Sequence, residues 1–196
     1  MNKPLLGCGV LAVVGILLLV LFGAGTYNNL VGLDEGVDAA WSQVENVYQR
    51  RADLIPNLVA TVQGAADFER ETLQAVVEAR SKVGQMSFDG APTSEQLSAF
   101  QQNQDALSSA LSRLMVVVER YPELTATQNF RDLQVQLEGT ENRIAVERRR
   151  FNEATRAYNT ARRRFPATIL AGLLGFEPKP YFESQPGADE APKVEF

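Results

Sequence analysis

One helix face constrains this chain more than any other feature. Leu30, Leu33, Val37, Trp41, Val44, Tyr48, Arg51, Ile55, Leu58 and Val62 follow one another at gaps of three or four residues. That spacing keeps every member on one side of an α-helix, at coiled-coil period. A stripe so long has to be covered, because each Å² of apolar surface left in water forgoes about 25 cal/mol. Partner helices are therefore required. Pro56 interrupts the stripe's hydrogen-bond ladder by removing the N–H that would reach the carbonyl of Ala52, so a kink is expected there.

The partners are legible downstream. After residues 27–63, a turn is expected at 63–67, with Gly64 able to take a positive φ. A second helix over 68–85 carries Leu73, Val76, Arg80 and Val83 on its face. Residues 86–92, containing Asp89-Gly90, read as a loop. Thr93 and Gln96 form a capping-box pattern that opens a third helix with the stripe Leu97, Phe100, Gln104, Leu107, Leu111, Leu114 and Val118. Tyr121-Pro122 ends it. Thr125 and Gln128 repeat the box pattern before a fourth helix reaching about residue 165, whose face runs Phe130, Leu133, Leu137, Thr140, Ile144, Arg148, Phe151, Thr155, Tyr158, Arg162 and Phe165. No strand pattern occurs. The fold expected is all-α, an N-terminal transmembrane helix followed by an elongated up-down-up-down four-helix bundle.

Upstream of the stripe, residues 5–22 carry no charge and are dominated by Leu, Val, Ile and Gly. Extended to Gly25 the run makes a helix of roughly 30 Å, enough to cross a bilayer. A cleavable signal peptide is the rival reading, but the run is too long and lacks an Ala-x-Ala site. Leu5-Leu6-Gly7-Cys8 has the outline of a lipobox with almost no apolar region before it, so Cys8 reads as a packing residue. Cys8, Ala12 and Gly15 share one face of small residues, which suits either close helix–helix approach or an ordinary lipid-facing surface. Lys3 and the amino terminus lie on one side of the span, and Asp34, Glu35 and Asp38 on the other. The positive-inside rule then puts the N-terminus in the cytoplasm and the bundle outside.

Helices of about 37, 18, 26 and 38 residues, alternating in direction, bring the chain back to within ~10 Å of its starting height. The segment that follows, 165–176, is apolar and bounded by prolines. Phe165, Ile169, Leu173, Leu174 and Phe176 can insert at the headgroup level beside Arg162, Arg163 and Arg164. The competing reading is that this segment caps the open end of the bundle core. From Glu177 the composition of Pro, Gly and acidic residues reads as a disordered tail. The organisation expected is an anchor over 1–26, a bundle over 27–165, a short interfacial segment over 166–182 and an acidic disordered tail over 183–196.

The chemistry is constrained mostly by exclusion. The chain has no histidine and one cysteine, which removes Ser-His-Asp and Cys-His catalysis, His-containing zinc sites and disulfides. A net charge of −5 and a pI near 4.9 argue against general nucleic-acid binding. There is no Gly-rich phosphate loop, and no cofactor is expected. Arg51, Arg80, Gln104 and Arg148 interrupt the stripes at similar heights. They read either as a buried polar layer that sets register, with Glu45, Glu78, Asp105, Glu119 or Glu141 as counter-charges, or as long side chains snorkelling at the seam edges.

Several ordered motifs carry a family resemblance. They are Tyr27-Asn-Asn-Leu-Val31, Asp34 to Trp41, Gln49-Arg-Arg-Ala-Asp-Leu-Ile-Pro-Asn-Leu-Val59, Val76-Val-Glu-Ala-Arg80 and Glu119-Arg-Tyr-Pro122. Leu137-Glu-Gly-Thr-Glu-Asn-Arg-Ile144, Arg149-Arg-Phe-Asn152, Tyr158-Asn159, Arg164-Phe-Pro166, Leu173-Leu-Gly-Phe176 and Tyr181-Phe182 continue the series. Over most of residues 27–182 the chain resembles the LemA family. The resemblance implies a bacterial single-pass protein of the inner membrane and supplies no catalytic residues. It also implies an envelope role, since such proteins are commonly encoded near membrane proteases and envelope proteins. The function expected is a non-enzymatic, self-associating scaffold that contacts the lipid bilayer and supports or remodels the envelope. The alternative is an adaptor or sensor for a membrane protease or an envelope-stress system.

Overall fold

The computed structural model describes residues 3–64 and 69–183, and within the first helix the side chains of residues 13–18 and from 20 onward. The apolar run and the first stripe form one unbroken helix, α1 (Lys3–Gln63), which passes through Pro56. It is the one helix among the described residues long and apolar enough to cross a membrane. Val13, Ile16, Leu17, Leu18, Val20, Leu21 and Phe22 are all exposed, whereas from Leu30 onward the stripe is buried, Leu33 alone being half-buried. The change of environment falls about two turns beyond Phe22.

Next come α2 (Arg70–Gly84), α3 (Ser94–Val118), a single turn α4 (Pro122–Thr125), α5 (Gln128–Arg163) and α6 (Ala167–Leu174). The described residues contain no strand. α3 opens as the capping box requires: Gln96 N–H donates to Thr93 Oγ1 at 3.3 Å, and Thr93 N–H donates to Gln96 Oε1 at 2.8 Å. The loop before it is pinned to α1, because Ala91 N–H donates to an Asp38 carboxylate oxygen at 2.8 Å. Gly90 allows that approach with φ of 84°, and a side chain there would meet the same carboxylate.

Cross-helix contacts give the directions. Trp41 of α1 packs on Phe100 of α3 and Phe151 of α5. A few turns on, Arg51 meets Gln104 and Glu141. Numbers rise together on α1 and α3 and fall on α5, while Arg80 of α2 meets Ala52. The four long helices therefore run up, down, up and down. α5 lies along α1, and α2 pairs with α3.

The core has two compartments. The distal one gathers Ile55, Leu58, Val62, Val76, Leu107, Leu114, Leu124 and Phe130. The proximal one gathers Val37, Trp41, Val44, Tyr48, Phe100, Ile144, Phe151, Tyr158 and Phe182. Trp41 is its centre, with the rings of Phe88, Phe100, Phe151 and Phe182 at 5.3 to 6.0 Å.

Local expectations change at three places. Thr125 does not cap the fourth helix: Pro122, pre-set at the first helical position, starts α4 and absorbs Thr125, whose hydroxyl donates to the Pro122 carbonyl. Thr127 caps instead, accepting from Phe130 N–H at 3.3 Å. Gly64 ends α1 as a turn residue without a positive φ, since only Gly90 and Gly175 adopt one among the described residues. Residues 65–67 of the expected turn lie outside the described residues.

Third, residues 177–183 are an ordered strap rather than a disordered tail. They climb back along α5 without regular secondary structure of their own. Residues 184–196, also expected as tail, lie outside the described residues.

Candidate functional site: a polar layer, a clamped strap and an exposed apolar end

The four polar stripe residues have separate fates. Arg51 is 2% exposed and sits between the two core compartments. Its guanidinium donates to Gln104 Oε1, to Ser108 Oγ at 3.0 Å and to Glu141 at 2.6 Å, and lies 5.0 Å from the Tyr48 ring centroid. Three helices thus converge on one cation. Glu141 is about half exposed, so its charge stays hydrated and the pair avoids the full penalty of ionic burial.

Arg80 belongs to a different contact. Pro56 leaves the buried Ala52 carbonyl without its helical donor, and Arg80 Nε supplies one at 2.9 Å. The side chain that looked like part of a polar layer repairs the break made by the proline. Arg148 lies nearer the exposed apolar stretch of α1, stacking over the Phe182 ring at 4.6 Å and donating to the Glu183 carbonyl at 3.0 Å. Arg51 and Gln104 are brought together; Arg80 and Arg148 are not part of that group.

The strap is held by two asparagines that each read one residue's backbone. Asn159 Nδ2 donates to the Lys179 carbonyl at 2.8 Å, while its Oδ1 accepts from Lys179 N–H at 3.0 Å. Asn152 does the same to Phe182, at 3.1 and 2.9 Å. The lengths match: seven helical residues rise ~10 Å, and three extended residues span ~9 Å. Tyr158 Oη donates to the Glu177 carbonyl at 2.8 Å, and Lys179 pairs with Asp34 at 2.9 Å. Burial pushes the Tyr158 hydroxyl up to about 12, with the Asp34 carboxylate adding to the rise. Burial likewise raises Tyr48 beside the Arg51 layer, and raises the Glu45 carboxyl.

At the other end, α5 finishes level with the point where α1 leaves its exposed apolar stretch. Phe22, Gly25, Thr26 and Asn29 of α1 share a crevice of 390 Å³ with Ala161, Arg164, Phe165, Pro166 and Ala167. The Phe165–Pro166 peptide is cis. α6 buries Ala171 and leaves Ile169, Leu173 and Leu174 exposed, with Phe165 81% and Leu173 78% accessible. Phe176 departs from the set expected at the interface: Gly175, at φ 77°, turns the chain so that Phe176 packs on Tyr27, ring centroids 5.9 Å apart, and on the proximal core.

The arginines divide too. Arg162 Nε donates to the Phe176 carbonyl and Arg163 Nε to the Asn159 carbonyl, whereas the Arg164 side chain has no partner among the described residues. Of the small-residue face, Cys8 and Ala12 lie outside the described side chains. Gly15 has nothing within 4 Å of where a Cβ would stand. No group of three or more His, Cys, Asp or Glu residues able to hold a metal occurs among the described residues.

Sequence reasoning missed Ser108 and the clamp formed by Asn152 and Asn159. The available signals were their spacing of seven on a helix, their place in the motifs that carry the family resemblance, and the Pro-Lys-Pro segment that follows.

These features define a class: an all-α bundle carried on a helix able to cross a membrane, with an apolar segment returned to the exit of that helix. The LemA family model matches residues 40–196. The chain belongs to the LemA family. It is 28% identical over 201 residues to the magnetosome proteins MamQ 1 and MamQ 2 of Paramagnetospirillum magneticum, covering 91% of this chain and 74% of each relative. It is 30% identical over 185 residues to the magnetosome protein MamQ of Magnetospirillum gryphiswaldense, covering 83% of this chain and 66% of that relative.

Proposed function

We propose that this protein is a non-enzymatic scaffold of the bacterial inner membrane, anchored by α1, touching the bilayer a second time through α6, and self-associating to support or remodel the envelope. One observation carries the reading: α5 ends beside Phe22–Asn29, and the chain after it, packed on α1 through α6, leaves Phe165, Ile169, Leu173 and Leu174 exposed to solvent. Four exposed large apolar side chains beside an exposed apolar helix suit acyl chains and headgroups rather than water. The open surface at Gly15, which the sequence spacing puts on one face with Cys8 and Ala12, suits helix–helix approach between copies. The relatives named for the magnetosome support a membrane-associated role. On this reading the N-terminus faces the cytoplasm and the bundle lies outside, supported by Lys3 beside the apolar run under the positive-inside rule.

The test uses the full-length chain reconstituted in vesicles, with an environment-sensitive fluorophore attached through Leu173→Cys in a Cys8→Ser background. Quenching by shallow brominated lipid is expected for that probe, and none for one attached through Val135→Cys, an exposed position on the bundle. Absence of quenching at position 173, or a strictly monomeric particle by light scattering in mild detergent, overturns the reading.

A further inference from the structure

The end of the bundle holds more than an apolar surface. Two crevices meet there along the α1–α5 seam. The lower one, of 390 Å³, is lined by Phe22, Gly25, Thr26, Asn29, Arg164 and Phe165 among others. The upper one, of 500 Å³, shares Asn29, Ala161 and Arg164 with it and continues to Thr160, Arg156 and Glu153. The groove is graded: two phenylalanines at one end, hydroxyl, amide and guanidinium groups at the other. Its lower part has a single charged lining residue, Arg164, and no carboxylate.

Arg164 is also the one arginine of its run with all of its side-chain donors free among the described residues. Arg162 and Arg163 spend their Nε donors on the carbonyls of Phe176 and Asn159. The side chains of Thr26 and Asn29 likewise have no partner among the described residues. A guanidinium in the lower crevice, where no carboxylate competes for it, beside an amide and a hydroxyl, matches the oxygen fan of a phosphodiester. The apolar end opens toward the exposed part of α1, where acyl chains would lie. A free phosphate would leave that end empty.

We propose that this groove binds one glycerophospholipid of the bilayer, its phosphate on Arg164 with Asn29 and Thr26 and an acyl chain between Phe22 and Phe165. The proposal rests on the membrane-facing reading of this end and names the ligand there. It also assigns Arg164 a role distinct from the general electrostatic attraction that all three arginines share.

The full-length chain, purified in mild detergent with native lipid, tests this by native mass spectrometry and by titration with dihexanoyl phosphatidylglycerol. Wild type is expected to retain a phospholipid and to bind the short-chain lipid. Arg164→Gln is expected to lose affinity about tenfold, the loss of one charge-assisted contact pair. Arg163→Gln is expected to bind as wild type. Gly25→Leu fills the floor without disturbing the charge or the fold, since nothing lies within 4 Å of its Cβ position, and is expected to abolish retention.

Equal binding by wild type and Arg164→Gln, an equal loss in Arg163→Gln, full retention in Gly25→Leu, or competition by inorganic phosphate alone each overturns the proposal. The depth probe at position 173, read on the same variants, separates the two levels. A probe still quenched while retention ignores Arg164 sinks the lipid groove and leaves the scaffold reading standing.

Discussion

The repair of Pro56 by Arg80 can be tested by asking whether one becomes dispensable without the other. In the wild-type chain, Arg80→Met keeps the aliphatic stem but removes the donor from the Ala52 carbonyl, whose residue is 5% exposed. An orphaned buried acceptor costs about 1–3 kcal/mol, and since Arg80 is only half-buried we expect the lower part of that range, ~1–2 kcal/mol. Pro56→Ala restores a backbone N–H at position 56 that closes the helical bond to Ala52, and in that background Arg80→Met is expected to cost under ~0.5 kcal/mol. Pro56→Ala by itself is expected to stabilise by up to ~3 kcal/mol, the ordinary cost of a helix-interior proline. The assay is urea unfolding of the full-length chain in mild detergent, followed by circular dichroism. For a slope of ~2 kcal/mol/M, the coupling appears as a difference of ~0.25–1 M between the midpoint shifts in the two backgrounds. Additive effects, with Arg80→Met equally costly in both, would refute the donor role and leave Arg80 as packing.

Three further outcomes follow from the buried polar groups. Arg51→Met is expected to destabilise the bundle by ~2–3 kcal/mol because Gln104, 3% exposed, loses the guanidinium that its Oε1 accepts from, and adding Gln104→Leu should recover most of that; a double variant no better than the single, by the same unfolding assay, refutes the layer as drawn. Asn159→Leu is expected to free the strap without melting the bundle, so amide exchange at Lys179 and Phe182 should accelerate while the Ile144 region keeps its protection. Tyr158 and Tyr48 both have folded-state hydroxyl values raised above the usual 10, so their contribution is fully present below pH 10 and lost above it, for Tyr158 as pH climbs from 10 toward 12. Tyr158→Phe should flatten that alkaline loss in a pH series of melts, and an unchanged slope counts against burial as its cause.

Helices and their order were legible because burial leaves a period of 3.6 in the residues themselves. Leu97 to Val118 shows it without a break, and the Thr93–Gln96 cap marks its start. Half of the Pro56 story was legible as well, since a proline names its orphaned carbonyl. Its donor was not: Arg80 lies on another helix, and which of Arg51, Arg80 or Arg148 reaches Ala52 depends on how far α2 slides along α1. The same dependence split Arg80 and Arg148 from Arg51 and Gln104, although all four looked level when heights were counted. The strap was illegible for a different reason. Glu177 to Glu183 has no periodicity because its order comes from Asn152, Asn159, Tyr158, Arg148 and Arg162, and composition rich in Pro and acid reads as disorder when its partners are unknown.

The strap and α1 together say what sort of body the membrane would carry. α1 passes from its exposed apolar stretch into the core without a break, so no loop stands between the span and the bundle to absorb rotation. α5 returns along it, and the end of α5 is tied down twice: Phe176 sits on Tyr27, and Lys179 of the strap pairs with Asp34 on α1. The strap then runs from Phe176 to Glu183, ~22 Å of extended chain against ~21 Å of helix between Arg162 and Arg148, so it is taut rather than slack. On the scaffold reading, α6 is consequently held at a set height and azimuth around α1. A segment so placed would insert into one side of the surrounding leaflet only, and the force it exerts there would be transmitted to the bundle as tilt instead of being lost in a hinge. Cutting the lever should show this: a Gly-Gly-Ser insertion between Gly25 and Thr26 would leave anchor and bundle folded, yet is expected to uncouple bundle orientation from the bilayer in polarised spectroscopy of oriented membranes. An insertion that leaves orientation unchanged would mean that α6, not the continuity of α1, sets the angle.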